Sequence, residues 1–188
     1  MNIVEIIRNV VVNEAEKYKN DSEDHYDFWN EHIKYVVFEA LSLADEFHAD
    51  KEIVELGALL HDIALIRKAG DRKDHHTNGE IIAKEILLKY GYEEDKTAKV
   101  AACVRNHRSS QNANNAEELC VCDADILAHF DNILMVISNI IRHSPVNLAA
   151  IRKKLKVAFD KDYNDLSEKT KAAFLDRYNL ICKIVIGD

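Results

Sequence analysis

Turn-forming residues are scarce in this chain: five glycines and one proline in 188 residues. A sheet with many hairpins needs such residues at its turns. Their shortage favours long helices joined by short connections. Cysteine is also sparse. Cys103, Cys120, Cys122 and Cys182 are too few and too scattered for a disulfide framework in a chain of this size. A reduced, cytoplasmic setting is the expectation, with the four thiols serving as small core residues. Basic residues are in the minority, 25 against 33 acids, for a net charge of −8. Neutralising a phosphate backbone takes a basic face, so a nucleic acid polymer is not the expected partner. No apolar run approaches the roughly 18 residues needed to span a bilayer, and no signal-peptide pattern opens the chain, so no membrane partner is expected. The length suits one domain. There is no internal repeat, no low-complexity segment and no inter-domain linker, and a homo-oligomer is compatible with the sequence.

What is present is helical periodicity. Ile3, Ile6, Ile7, Val10 and Val11 lie on one face of a helix from Asn2 to about Lys19. After a polar, acidic stretch from Asn20 to Asp27, a second helix runs from about Trp29 to Phe47. Its stripe is Ile33, Val36, Val37, Ala40, Leu41 and Ala44, and His32 lies one turn before Val36 on that stripe. Asp50 is an N-cap for the next helix. That helix is apolar on nearly all sides through Ile53, Val54, Leu56, Leu59, Leu60, Ile63, Leu65 and Ile66, with His61 and Asp62 set side by side inside it. Buried without a partner, two such groups would cost a few kcal/mol. Either they bond to each other and to nearby carbonyls, as core histidines often do, or they bind something. A divalent metal ion suits both donor types.

A polar connector, Ala69 to Thr77, carries Arg72, Lys73 and the pair His75-His76. Thr77 and Glu80 make a capping-box pattern that predicts a helix from Asn78 to about Tyr90, stopped by Gly91. Asp95 is the expected cap of a helix with a buried stripe through Ala98, Ala101, Ala102 and Val104, ending at His107 and Arg108. After a polar loop, Ser109 to Asn115, the pattern is helical from Glu117 to Arg142, bent near Asp131-Asn132, and it contains Asp123-Ala124-Asp125 with His129 one turn on. Ser144-Pro145 ends that element. Two amphipathic helices, about Val146 to Phe159 and Ser167 to Ile186, close the chain and carry no constellation that reads as chemistry.

The polar residues on buried faces or at the helix ends beside them are His32, His61, Asp62, His75 or His76, His107 and Asp125. Helical bundles build metal sites in this way, from side chains on several helices. In Glu31-His32-Ile33-Lys34-Tyr35-Val36, then His61-Asp62, then Val121-Cys122-Asp123-Ala124-Asp125-Ile126-Leu127, the chain resembles the HD-domain superfamily of metal-dependent phosphohydrolases, over roughly residues 27 to 130. The resemblance implies an all-α, single-domain helical bundle, with the helices of residues 146 to 188 packed on the motif-bearing core. It implies that His32, His61, Asp62 and Asp125 bind a divalent ion (manganese, iron, cobalt, nickel, zinc or magnesium), with Asp123 as the competing carboxylate. Some branches add two histidines and a second ion, with the aspartate of the His-Asp pair bridging; the matching positions are His75 (His76 competing) and His107.

On this resemblance His61 and Asp62 are the catalytic pair. The reaction is hydrolysis of a small phosphorylated, nucleotide-like molecule by water activated at the metal. Arg67, Lys68, Arg72, Lys73 and Arg108 are the nearby cations that could take phosphate oxygens, Arg108 foremost; each alone also reads as surface charge. The chain departs from the family at Tyr35, Ile126 and Ala128, where substrate-facing Arg, basic and acidic residues are common. It also lacks the Gly-Tyr-Pro motif of the cyclic-dinucleotide branch. The departures keep a degenerate, nucleotide-binding or structural HD module in view. A metal-free helical interaction domain and a zinc site on Cys120 and Cys122 are weaker rivals, the latter because no second Cys or His pair sits at finger spacing.

Overall fold

The most apolar stretch of the chain becomes α3 (Lys51–Leu60), and the other helices of the core gather around it. The structure is a computed structural model and describes residues 2–142 and 147–187. Asp50 caps α3 by accepting the Glu52 and Ile53 backbone N–H groups. From Ile53 onward every α3 residue except Glu55 is buried, so the helix is packed on almost its whole circumference. It is enclosed by α1 (Ile3–Asp21), α2 (Lys34–Phe47), α6 (Glu94–Asn106) and α7 (Ala116–Asp131). The close approach of α3 to α6 and α7 rests on Gly57. A Cβ there would stand 2.8 Å from the Cys103 Cβ and 3.1 Å from a Val121 methyl.

Around this centre, a π-helical turn (Trp29–Ile33) leads into α2, the one-turn α4 (Ile63–Ile66) follows α3, and α5 (His75–Lys89) packs along α6. Past α7 the chain continues as α8 (Ile133–Arg142), α9 (Leu148–Asp165) and α10 (Glu168–Val185). α8 and α9 pack on each other and on the end of α7. Phe130, Phe159, Phe174 and Tyr178 join α7, α9 and α10 in one aromatic cluster. The fold is all-α: no strand occurs among the described residues. None of the described helices is long and apolar enough to cross a membrane. All four cysteines are buried and free.

The helix bounds correct the sequence reading in several places. His61 and Asp62 do not lie inside a helix. α3 ends at Leu60, and the chain turns through His61-Asp62 before α4 begins. α5 starts at His75, not Asn78. The Thr77 hydroxyl donates to the Asp74 carbonyl instead of accepting a backbone N–H, so the Thr-x-x-Glu pattern is not the cap. α6 starts at Glu94 after Glu93 rather than after Asp95. Its buried residues are Thr97, Val100, Ala101, Cys103 and Val104, with Ala98 exposed. The break near Asp131-Asn132 falls where it was expected, between α7 and α8. The stop at Ser144-Pro145 and the helix start at Val146 lie outside the described residues; Asn147 caps α9 at Ala149 and Ala150.

Candidate metal centre

Five separate backbone devices bring the polar residues to one place. His32 sits in the π-helical turn ahead of α2, a local widening of the kind often found at functional sites. His61 caps the C-terminus of α3. Asp62 follows at φ −104°, ψ 15°, in the sparsely populated bridge region. His75 opens α5, His107 caps the C-terminus of α6, and Asp125 lies inside α7. The C-terminal ends of α3 and α6 bring the partial negative charge of a helix C-terminus to the same region. Buried Glu118 fixes the end of α6: it accepts from Asn106, Asn114 and Asn115. Cys122 adds a thiol hydrogen bond to the Asn106 carbonyl.

The resulting distances divide into two groups that share Asp62. In the first, His32 Nε2 is 3.1 Å from His61 Nε2 and 3.0 Å from Asp125 Oδ1. Asp62 Oδ2 is 3.8 Å from His32 Nε2 and 3.6 Å from His61 Nε2. In the second, His75 Nε2 and His107 Nε2 are 3.0 Å apart, and Asp62 Oδ1 is 3.4 and 3.9 Å from them. The two oxygens of Asp62 therefore face different groups.

The hydrogen-bond chemistry of these groups calls for a cation. His61, His75 and His107 each have Nδ1 2.7 Å from the carbonyl of the residue three back: Ala58, Arg72 and Val104. A carbonyl can only accept, so Nδ1 carries the proton and neutral imidazoles turn Nε2 lone pairs inward. Facing lone pairs at 3.0 Å (His75 and His107) repel unless positive charge lies between them. Metal–nitrogen bonds of about 2.0–2.1 Å place adjacent ligands about 3.0–3.4 Å apart, which matches the short edges seen here. Burial, then the neighbouring His61, push the His107 imidazole down to about 4, so it is neutral at ordinary pH, the form that ligates. Burial would raise the Asp62 and Asp125 carboxyls. The histidines around them act the other way and prevail: His61, then His32 and His107, beside Asp62, and for Asp125 the hydrogen bond from His32 and then the neighbouring His61. Both stay ionised.

The competing residues are placed elsewhere. Asp123 is fully buried and accepts from the backbone N–H and hydroxyl of Ser167 at the start of α10, a structural role. His76 is in none of the groups able to hold a metal among the described residues, and its Nδ1 is buried without a partner. Among the described residues, none of the side-chain groups able to hold a metal includes a cysteine.

The cluster forms the floor of a cavity of about 680 Å³. Tyr18, Tyr26 and Phe28 form an aromatic wall, and Ile126 and Met135 add apolar surface. Arg72, Lys73, Arg108, Arg142 and Lys161 bring cations to it, against Asp24, Asp162 and Asp165. With Asp62 and Asp125 counted, five carboxylates balance these five cations, so the lining is close to neutral in a chain of net charge −8. Arg108 donates to the Lys73 carbonyl at 3.0 Å, which steadies it at the rim. Arg67 and Lys68 do not reach the cavity. Arg67 pairs with Glu14 at 2.6 Å over a separate cleft on α1 and α5, and Lys68 lies over the Tyr18 ring. Both follow the short α4, which directs them back toward α1.

Two contributions escaped the sequence reading. His129 lines the cavity and falls in a third group able to hold a metal, with His32 and Asp125. α9, which carried no legible chemistry, supplies Lys161, Asp162 and Asp165 to the cavity wall. The i, i+4 relation of His129 to Asp125 was the one available signal.

The comparisons agree with this picture. The HD domain family model matches residues 30–129, slightly more than half of the chain. No curated protein matches. Among solved structures, the chain is similar to the crystal structure at 1.45 Å of a predicted HD superfamily hydrolase from an uncultured Thermotogales bacterium. The two share 21% identity with a TM-score of 0.63, over 98% of this chain and 95% of that one, a likeness of fold.

Proposed function

This chain belongs to the HD-domain family, and from that premise we propose that it is a metal-dependent phosphohydrolase acting on a small, nucleotide-like phosphorylated substrate. The observation that supports the reading best is the Asp62 carboxylate, split between two groups of inward-facing imidazole nitrogens at the floor of a cavity with cations at its rim. His32, His61, Asp62 and Asp125 would hold one divalent ion, and His75, His107 and Asp62 a second. The mixed nitrogen and carboxylate donors suit manganese, iron, cobalt, nickel or zinc, and magnesium less well. When bound, such an ion lowers the pKa of water toward neutrality and offsets charge on phosphoryl oxygens.

The chain's own residues do the rest. Arg108 keeps part of its guanidinium free for phosphate oxygens while Lys73's carbonyl holds it in place. Arg72 and Lys73 add charge on the same side, and Tyr18, Tyr26 and Phe28 offer flat surface to a base or other ring. A cavity of about 680 Å³ has room for a mononucleotide. In the overall reaction, water oxygen adds to phosphorus, the bond from phosphorus to the leaving oxygen breaks, and the leaving oxygen gains a proton.

Metal analysis of the purified protein, combined with phosphate release from a nucleotide panel under each candidate ion, tests the proposal. His61→Ala and Asp62→Ala should lose bound metal and turnover together. Full turnover by metal-depleted Asp62→Ala overturns the reading. Ile126, an apolar residue in the cavity wall where the family often has a basic one, favours a second reading: a nucleotide-binding HD module without catalysis. Bound metal with no turnover across the panel would select it.

A further inference from the structure

The metal centre built from the family motif lies within residues 30–129, yet the last of those residues is tied to a helix beyond them. His129 sits one turn past Asp125 on α7 and faces the cavity. Its ring is stacked on that of His32, with centroids 5.7 Å apart and planes inclined by 23°. A ring nitrogen of His129 lies within 4.8 Å of ligand atoms of both His32 and Asp125. Its Nδ1 is 3.0 Å from Asp162 Oδ2 on α9. The carboxylate can only accept, so Nδ1 carries the proton, and in the neutral, ligating form of the ring Nε2 offers its lone pair.

A carboxylate that holds the far nitrogen of an imidazole is the usual outer support of a metal-bound histidine. It fixes the tautomer and the ring direction, and it makes the ligating nitrogen more basic. His61, His75 and His107 have weaker supports of the same kind, the backbone carbonyls. An accidental surface ion pair would need neither the stacking on His32 nor the placement beside Asp125. We propose that His129 is a further ligand of the ion held by His32, His61, Asp62 and Asp125, and that Asp162 is its positioning residue. The inference rests on reading the cluster as a metal centre. It makes α9 part of that centre, and it leaves the first ion fewer open positions than the second.

Cobalt(II) titration of the full chain tests this, because cobalt absorbs in the visible with an intensity set by the number and kind of its ligands. Asp162→Asn should bind the tighter cobalt equivalent 10- to 100-fold more weakly, the loss usual when such a support is removed, and its visible spectrum should change. His129→Ala should do the same or more. Asp165→Asn, on the same helix and cavity wall, should match the wild type. A thermal melt without metal shows whether each variant is folded, and Asp162→Asn keeps the test valid if His129→Ala is not. Wild-type affinity and spectrum in Asp162→Asn and His129→Ala, with binding abolished in His61→Ala, overturn the proposal and leave the metal centre standing. Weaker affinity with an unchanged spectrum also overturns it. Wild-type binding by His61→Ala would instead overturn the metal-centre reading itself.

Discussion

Gly57→Ala puts one methyl group where three site-bearing helices meet. Taken as a helix residue alone, Gly57 should be improved by alanine, since glycine in a helix interior is worse by roughly 0.5–1 kcal/mol. Packing acts in the opposite direction. The new Cβ would lie 2.8 Å from the Cys103 Cβ, 3.1 Å from Val121 Cγ2 and 3.4 Å from the Cys103 sulfur. Carbon atoms pack best at about 3.5–4.0 Å, so α3 must move by most of an ångström away from α6 and α7. The nearer carbon, the Cys103 Cβ, is attached directly to a helix backbone and cannot swing aside. Overpacking of this kind costs about 1–3 kcal/mol, so the net effect is a loss of about 1–2 kcal/mol. For a chain of this length that corresponds to a Tm lower by roughly 2–8 °C.

The displacement also reaches the site. His61 lies one turn beyond Gly57 on α3, and the partners of Gly57 stand on the helices of His107 and Asp125. Metal affinity in Gly57→Ala should therefore fall even though no ligand has changed. Differential scanning fluorimetry and cobalt titration read the two effects. A second substitution separates the contacts: Cys103→Ala keeps the Cβ at 2.8 Å and should not restore Gly57→Ala, whereas Cys103→Gly should restore metal affinity. A Gly57→Ala protein more stable than the wild type, with unchanged affinity, would refute the argument.

Three further outcomes follow from named contacts. Asp123→Ala should cost about 1–3 kcal/mol in chemical denaturation, because it strands the partly buried Ser167 donors, and it should leave cobalt stoichiometry unchanged; loss of a bound ion would mean that Asp123 is a ligand. The Glu39 carboxyl, pushed up to about 7 by burial and then by its hydrogen bond to Asp131, gives a pH dependence of known sign. The folded state keeps a proton that the unfolded state releases above the ordinary value of 4.5, so stability falls as pH rises from there through about 7. Glu39→Gln should flatten that fall and be the more stable protein above pH 7, by on the order of 1 kcal/mol once partial solvent screening is allowed for; parallel stability curves for the two proteins would refute it. Arg108→Ala should raise KM for a phosphorylated substrate about tenfold, as loss of one charge-assisted bond of about 1.5 kcal/mol does, while Arg67→Ala should leave KM alone; equal effects in steady-state kinetics would contradict the cavity geometry.

How far the site could be read in advance depended on how each residue is held. His32, His61, Asp62, His107 and Asp125 were legible because each is a polar residue on an apolar helix face or at its end, and the cost of leaving such groups unpaired makes them conspicuous in one dimension. The choice between Asp123 and Asp125 was not legible from helical geometry alone. Two residues apart on one helix they diverge by about 200°, and only the position of Ser167, 44 residues after Asp123, decides which way the bundle interior lies. The break at His61-Asp62 was hidden for a related reason. Ile63, Leu65 and Ile66 continue an apolar pattern that suits a helix, but tertiary placement of Asp62 between two groups of histidines overrides that local preference.

α9 was the hardest element to read, and the reason is physical. Lys161, Asp162 and Asp165 sit among other lysines and aspartates on an amphipathic helix, where such residues ordinarily face water. Nothing local distinguishes a carboxylate that meets solvent from one that meets an imidazole on another helix. The distinction lies in the aromatic cluster of Phe130, Phe159, Phe174 and Tyr178, which joins α9 and α10 to the end of α7 and so brings Asp162 within 3.0 Å of His129. That cluster was itself legible as apolar periodicity, but the pairing of its faces is a long-range choice. The chemistry of this helix is therefore carried by its apolar side: the packing fixes which polar residues become part of the site.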